Sequence, residues 1–280
     1  MQGTTGRGRK AMWGPGDAYA PSSLLNPDCN EWIVQALRNY AVAPERVTLE
    51  ILESQSLLDN RAEEVLASLS RIGVQLALDD LGSGYSSLKR LAEWPVDIIK
   101  IDQGLISRMH ERPLRVLGLL QALIQIGRDL DRKIVVEGLE KLDMAEASAL
   151  LGAHYGQGYG FARPMPVSAF PAWARSFSFS MEKGRIRTAL GALAYHWRFM
   201  HRDDFDHPVD VEDCPLTTFL VGVSGADVAD ARRWHAQVHA KGSLNDNERR
   251  QASEALITWL IERVCEVAPT PRAGTRSRRG

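Results

Sequence analysis

Five short apolar runs, each ending in an acid, a lysine or an amide, constrain this chain more than any other feature. They are Val47-Thr-Leu-Glu50-Ile-Leu-Glu53, Val74-Gln-Leu-Ala-Leu78-Asp79-Asp80, Val96-Asp-Ile-Ile-Lys100-Ile-Asp102, Ile134-Val-Val-Glu137-Gly-Leu-Glu140 and Tyr155-Gly-Gln157-Gly-Tyr159. Helical patterns lie between them: Ala62, Val65, Leu66, Leu69 and Ile72 recur at helical spacing, and Leu114 to Leu130 carries a longer apolar face. Alternation of strand and helix implies a parallel sheet covered by helices. Reactive side chains gathered at the C-terminal ends of such strands are the arrangement by which a (β/α)8 barrel holds its active site. The expected fold class is α/β, a partial (β/α)8 TIM-type barrel followed by a small α-helical bundle.

Asp79 and Asp80 give the barrel a chemistry. They close an apolar strand and run into the glycine-rich loop Leu81-Gly-Ser-Gly-Tyr-Ser-Ser87. Two like charges this close are costly unless a cation neutralises them. Side chains alternate along a strand, so one carboxylate can face the barrel axis while its neighbour reaches sideways. Oxygen ligands suit hard divalent ions such as Mg2+ or Mn2+.

Glu50-Ile-Leu-Glu53, Asp79-Asp80-Leu-Gly-Ser-Gly-Tyr, Lys100-Ile-Asp102, Glu137-Gly-Leu-Glu140 and Gln157-Gly-Tyr159 stand in the order and spacing of EAL-domain proteins, which this chain resembles from about residue 24 to 173. The family consists of cyclic-di-GMP phosphodiesterases of bacterial signalling. The resemblance implies that Glu50, Asp79, Asp80 and Glu137 are ligands of a two-ion Mg2+ or Mn2+ centre. It makes Lys100, Glu137 and Asp80 the catalytic residues, Lys100 contacting the attacking water, and leaves open whether Lys100 or Glu137 takes the proton. Glu53 corresponds to a residue that holds the loop after Asp80, and Asp102, Glu140 and Gln157 to positions lining the substrate pocket. The implied reaction is hydrolysis of cyclic di-GMP to linear pGpG.

The departures lie at the front. The Glu-Ala-Leu strand that names the family is absent, and the asparagine ligand of a second upstream strand falls near Ala18. A full barrel takes about 250 residues, against roughly 150 recognisable ones, so about three strands and two metal ligands are unaccounted for. The expected function is cyclic-di-GMP hydrolysis once the barrel is completed. The alternative is a catalytically inactive cyclic-di-GMP receptor or protein-interaction module, and exposed strand edges favour a homodimer or a partner protein.

Residues 1–23, rich in Gly, Pro, Arg, Ser and Thr, are expected to be a disordered leader; 24–175 the incomplete barrel; 184–268 a helical bundle; and 269–280 a disordered basic tail. A net charge of −1 supplies no basic field for nucleic acid or an anionic membrane. No apolar run approaches the ~20 residues of a transmembrane helix. Three scattered cysteines argue for a reducing cytoplasm rather than a disulfide framework.

Within the bundle, Trp234-His235-Ala-Gln-Val-His239 sets two histidines at i and i+4, a spacing that can hold one metal ion. With His196-Trp197-Arg198 and Asp213-Cys214-Pro215-Leu216, this segment resembles the chemoreceptor zinc-binding (CZB) domain. The resemblance implies Zn2+ on Cys214, His235 and His239, the alternative being a zinc-free sensory or dimerisation bundle. That family's first ligand histidine would fall on Ala194, which leaves His196 as a substitute candidate ligand.

Overall fold

A computed structural model describes residues 3–5, 9–11, 26, 28–52, 60–81, 87–179, 185–201, 210–240 and 246–267. It falls into two compact units. The first takes residues 1–106, 122–139 and 153–159, and the second takes 107–121, 140–152 and 160–280.

The first unit is built on a five-stranded parallel sheet in sequential order, β3 (Thr48–Leu52), β4 (Gln75–Leu81), β5 (Ile98–Ile101), β6 (Lys133–Val136) and β7 (Tyr155–Gly156). A separate pair of short antiparallel strands, β1 (Gly3–Thr5) and β2 (Arg9–Ala11), precedes it. Helices α1 (Cys29–Asn39), α2 (Asn60–Ile72), α3 (Ser87–Glu93), α4 (Gln103–Ile106) and α5 (Pro113–Asp129) fall before or between the sheet strands. All four residues of β5 are buried. A parallel strand covered on both faces carries such an unbroken apolar run. The exception is Lys100, set among Ile98, Ile99 and Ile101 at 3% exposure.

Strand register decides which side chains share a face. Glu50 pairs with Ala77, Ala77 with Ile98, and Lys100 with Val135. Ala77, Ile98 and Val135 form one buried cluster. Two residues further along their strands lie Asp79, Lys100 and Glu137, and a period of two returns each to the same face. The polar groups therefore sit one layer above an apolar floor, at the C-terminal ends of parallel strands, where barrels of this type keep their chemistry.

The second unit is helical, and includes α6 (Leu142–Leu151), α7 (Phe170–Ser176), α8 (Ala189–His201), α9 (Pro215–Gly222), α10 (Val228–His239) and α11 (Asp246–Val267). Helix α6 packs along α8, which also lies against α11, while α10 pairs with α11. Glu146 of α6, 3% exposed, accepts hydrogen bonds from Arg187 N and Thr188 N, both 2.9 Å, and from Thr188 Oγ1 at 2.5 Å. These are orphan donors ahead of α8, and a carboxylate there satisfies both hydrogen bonding and the helix dipole. Gly191 permits the approach, since a Cβ there would lie 2.3 Å from Glu146 Oε2. No described helix is long and apolar enough to cross a membrane.

Candidate functional site

Lys100 is the hub of the site in the first unit. Its Nζ lies 3.0 Å from Glu50 Oε1, 3.0 Å from Asp79 Oδ1 and 2.8 Å from Glu137 Oε1. An ammonium carries three donors and no acceptor, so all three are engaged. Burial opposes its charge, yet the hydrogen bonds and charges of Glu137 and Asp79 override that and hold Lys100 well above the ordinary lysine value. Burial pushes the Glu137 carboxyl up, against the pull of Lys100 and with the charges of Asp79 and Glu50 adding to it. Gln157 Nε2 donates to the same Glu137 Oε1, which fixes that carboxylate from a second side.

Asp80 reaches the site through a backbone irregularity. The β4–β5 pairing shifts register between Leu78 and Leu81, and Asp80 adopts φ 59°, left-handed territory for a residue with a Cβ. A bulge places two consecutive residues against one partner and re-aims a side chain. Without it, Asp80 would face away from Asp79. With it, carboxylate oxygens of Asp79, Asp80 and Glu137 lie within 4.8 Å of one another. Asp79 Oδ1 also accepts the Asp80 N–H at 3.0 Å. Oxygen donors gathered this closely could hold a hard divalent cation.

The other sequence candidates are placed as follows. Asp102 caps the turn into α4, its Oδ1 accepting from Gly104 N at 2.8 Å. Glu140 is exposed just ahead of α6. Glu53 and the loop 82–86 lie outside the described residues. Strand β6 ends at Val136 rather than running on to Glu140, because Gly138 turns the chain at φ 65°, where a Cβ would come within 2.9 Å of Gln103 Cα.

The second unit holds a cluster of another kind. Ligand atoms of Cys214, His235 and His239 lie within 4.8 Å of one another. Cys214 is 2% exposed and precedes α9 as its cap. Burial pushes the Cys214 thiol up, against the pull of its neighbours Leu216, Tyr195 and Thr217, and the Thr217 N–H donates to the Cys214 carbonyl at 2.9 Å. Thr217 Oγ1 donates to the Val211 carbonyl and lies 3.4 Å from His235 Nδ1. That hydroxyl hydrogen is already committed, so Thr217 accepts and Nδ1 carries the imidazole proton. His235 Nε2 is left as a buried nitrogen lone pair with no hydrogen-bond partner. Burial, then the charge of His239, depresses His235 to about 4. His196 stands outside this cluster: its Nε2 bonds Ser253 Oγ at 2.9 Å, and burial above all depresses it to about 3. Sequence reasoning missed Thr217 and Glu146.

Residues 19–164, just over half of the chain, match the EAL domain family. The cyclic di-GMP phosphodiesterase RocR of Pseudomonas aeruginosa is 36% identical over 152 residues, covering 54% of this chain and 38% of RocR. The cyclic di-GMP phosphodiesterase PdeR of Escherichia coli is 35% identical over 144 residues, or 50% of this chain and 21% of PdeR. The solved PaMucR phosphodiesterase in complex with c-di-GMP matches with a TM-score of 0.51 at 31% identity, over 54% of this chain and 62% of that one. The chain thus spans well under half the length of these two curated relatives. By sequence and by fold it belongs to the EAL-domain family.

Proposed function

We propose that this chain carries the downstream part of a cyclic-di-GMP phosphodiesterase site, and that it hydrolyses cyclic di-GMP to pGpG when the barrel is completed. The observation that carries the reading is the convergence of Glu50, Asp79 and Glu137 on Lys100, with Asp80 bulged toward the same rim. Glu50, Asp79, Asp80 and Glu137 are the residues that would hold Mg2+ or Mn2+, whose chemistry there is to activate water and neutralise charge on the phosphoryl oxygens. Lys100, with every donor engaged by an acceptor, acts as a fixed cation that orients the nucleophile rather than as a base. Glu137 is therefore the group that accepts the proton, held in place by Gln157. Asp102 and Glu140 are assigned to the substrate pocket and Glu53 to support of the loop after Asp80. We assign the protein to the cytoplasm, in keeping with three free cysteines, and to a homodimer or a complex with a partner protein.

The test is turnover of cyclic di-GMP with Mg2+ or Mn2+ by this chain joined to the family's Glu-Ala-Leu strand and asparagine ligand. Asp79→Asn or Glu137→Gln should abolish pGpG formation. The chain by itself should be slow, since misplacing a reacting centre by about 1 Å can cost about a hundredfold. An extended protein that binds the nucleotide with no turnover would overturn the reading in favour of a receptor.

The second cluster is assigned to Zn2+. One thiolate and two imidazoles suit zinc, whose tetrahedral bond lengths imply ligand separations of about 3.4–3.6 Å. The unpartnered Nε2 of His235 is the observation that favours it, because a buried polar atom otherwise finds a partner. Metal analysis of protein purified without a histidine tag should find about one equivalent of zinc, lost in Cys214→Ser. Less than about a tenth of an equivalent refutes it.

A further inference from the structure

The candidate ligands of the second unit come from two elements, Cys214 from the start of α9 and His235 and His239 from α10. Thr217 joins the two. Its N–H donates to the Cys214 carbonyl at 2.9 Å, closing the first turn of α9 behind the cysteine. Its Oγ1 donates to the Val211 carbonyl, which also accepts the Cys214 N–H at 3.2 Å. Both backbone groups of Cys214 are thus held within one small ring of hydrogen bonds. A hydroxyl has one proton and two acceptor lone pairs. With the proton spent on Val211, the oxygen can only accept from His235 Nδ1, 3.4 Å away. That separation is long for N–H···O, and a cation on the far nitrogen would strengthen it by making Nδ1–H more acidic. His235 is 2% exposed and its Nε2 has no partner among the described residues. Closure of a turn accounts for the bond to Val211. It does not require the oxygen's lone pairs to face a buried imidazole.

We propose that Thr217 is the positioning residue of this metal site: its hydroxyl keeps the His235 proton on Nδ1, so that Nε2 is the atom offered to the ion beside Cys214 and His239. The proposal rests on the zinc reading above and adds which nitrogen binds and what fixes it. A ligating histidine commonly gives its other ring N–H to an oxygen, which sets its tautomer and ring orientation. The need is real at His235, because a free neutral histidine prefers its proton on Nε2, the nitrogen the ion requires. Through the Cys214 carbonyl and the His235 ring, one side chain and its own backbone hold the thiolate-bearing turn and the imidazole-bearing helix in register.

The test reads the tautomer and the metal separately, in the full chain without a histidine tag. Histidine-selective 15N NMR of chelator-stripped protein reports which ring nitrogen carries the proton, the His235 signals being assigned by their loss in His235→Gln. The unaltered chain should show a protonated Nδ1 and a bare Nε2, and added Zn2+ should shift the Nε2 resonance. Thr217→Val keeps the shape and removes the hydroxyl. It should lose the fixed Nδ1–H form and weaken Zn2+ binding about 10- to 100-fold in chelator competition. Thr217→Ser, which restores the hydroxyl, should recover both. A proton on Nε2 in the unaltered chain overturns the proposal and needs no variant to fold. Thr217→Val with the parent's tautomer and zinc affinity overturns the role of Thr217 and leaves the metal site standing, and Thr217→Ser as weak as Thr217→Val does the same. An unaltered chain with Nδ1 protonated that binds no Zn2+ overturns the zinc reading itself.

Discussion

Replacing Lys100 with methionine removes one charge and leaves three carboxylates facing each other. At about 3 Å and an effective dielectric of about 20, each ion pair is worth about 5 kcal/mol of gross attraction. Desolvation of the ammonium, at 3% exposure, cancels much of that. Glu50 has a side chain 44% exposed, and its share is discounted to that of a surface pair, about 0–1 kcal/mol. Asp79 and Glu137, at 13% and 14%, are the ones stranded, and breaking a buried pair from one side costs about 3–5 kcal/mol. That is a large part of the 5–15 kcal/mol of a typical domain. The lysine and a divalent ion also compete for the same oxygens. Lys100→Met should therefore be strongly destabilised in chelator, yet gain more from Mn2+ than the unaltered chain does. An ion present at a hundred times its dissociation constant returns about 2.7 kcal/mol. The assay is urea unfolding in EDTA and in millimolar Mn2+, with Lys100→Arg as the charge-preserving control. If Lys100→Met is as stable as the parent in EDTA, or gains no more than the parent from Mn2+, Lys100 is not the neutralising cation.

Two further predictions concern the second unit. His196 and His235 have folded values of about 3 and about 4, below the ordinary 6.5, and burial is the first cause of both. As pH falls the unfolded chain takes up these protons first, so their contribution is full above about 6.5 and is lost as pH drops toward the folded values. Metal-free protein should lose urea midpoint between pH 7 and 5, and His196→Gln should flatten that slope; a slope as steep as the parent's refutes the assignment. Glu146→Ala should cost about 2–4 kcal/mol, since it orphans donors ahead of α8. Glu146→Gln should recover part of the loss in thermal unfolding, and a neutral Glu146→Ala would show that the cap is not needed.

The inner strands were legible because parallel strands, covered on both faces, must be written as apolar runs, and Ile98-Ile-Lys-Ile101 is such a run with one exception. The rim position of Glu50, Asp79, Lys100 and Glu137 followed from the polar residues that close those apolar runs and from the EAL-domain resemblance. The bulge at Asp80 was not legible, because a register shift depends on the facing strand β5 and not on any residue of β4. Strict alternation would have sent Asp80 to the wrong face. Glu146 was hidden for a related reason. In Met144-Ala-Glu-Ala-Ser148 a lone acid on a helix reads as a solvated face, yet all five residues are buried. Only the partner helix α8 explains the charge. Thr217 was invisible because its approach to His235 follows from tertiary contact rather than from spacing.

The two clusters share no residue and differ in donor hardness, which makes their metal preferences separable in one polypeptide. Oxygen ligands at the strand ends favour Mg2+ or Mn2+, and the thiolate–imidazole set favours zinc. Zinc would outrank Mn2+ at most carboxylate sites by intrinsic affinity, so selectivity must come from the sulfur of Cys214 capturing zinc at far lower concentration. One equivalent of Zn2+ added to protein in millimolar Mn2+ should therefore raise the melting temperature further, through ligands that Mn2+ does not use. Cys214→Ser should erase that zinc increment and leave the Mn2+ increment unchanged, whereas Asp79→Asn should do the reverse. Double titrations followed by thermal unfolding read both increments in one experiment. If Cys214→Ser abolishes the Mn2+ increment as well, the clusters are not independent, and the donor-hardness argument that assigns one ion to each is wrong.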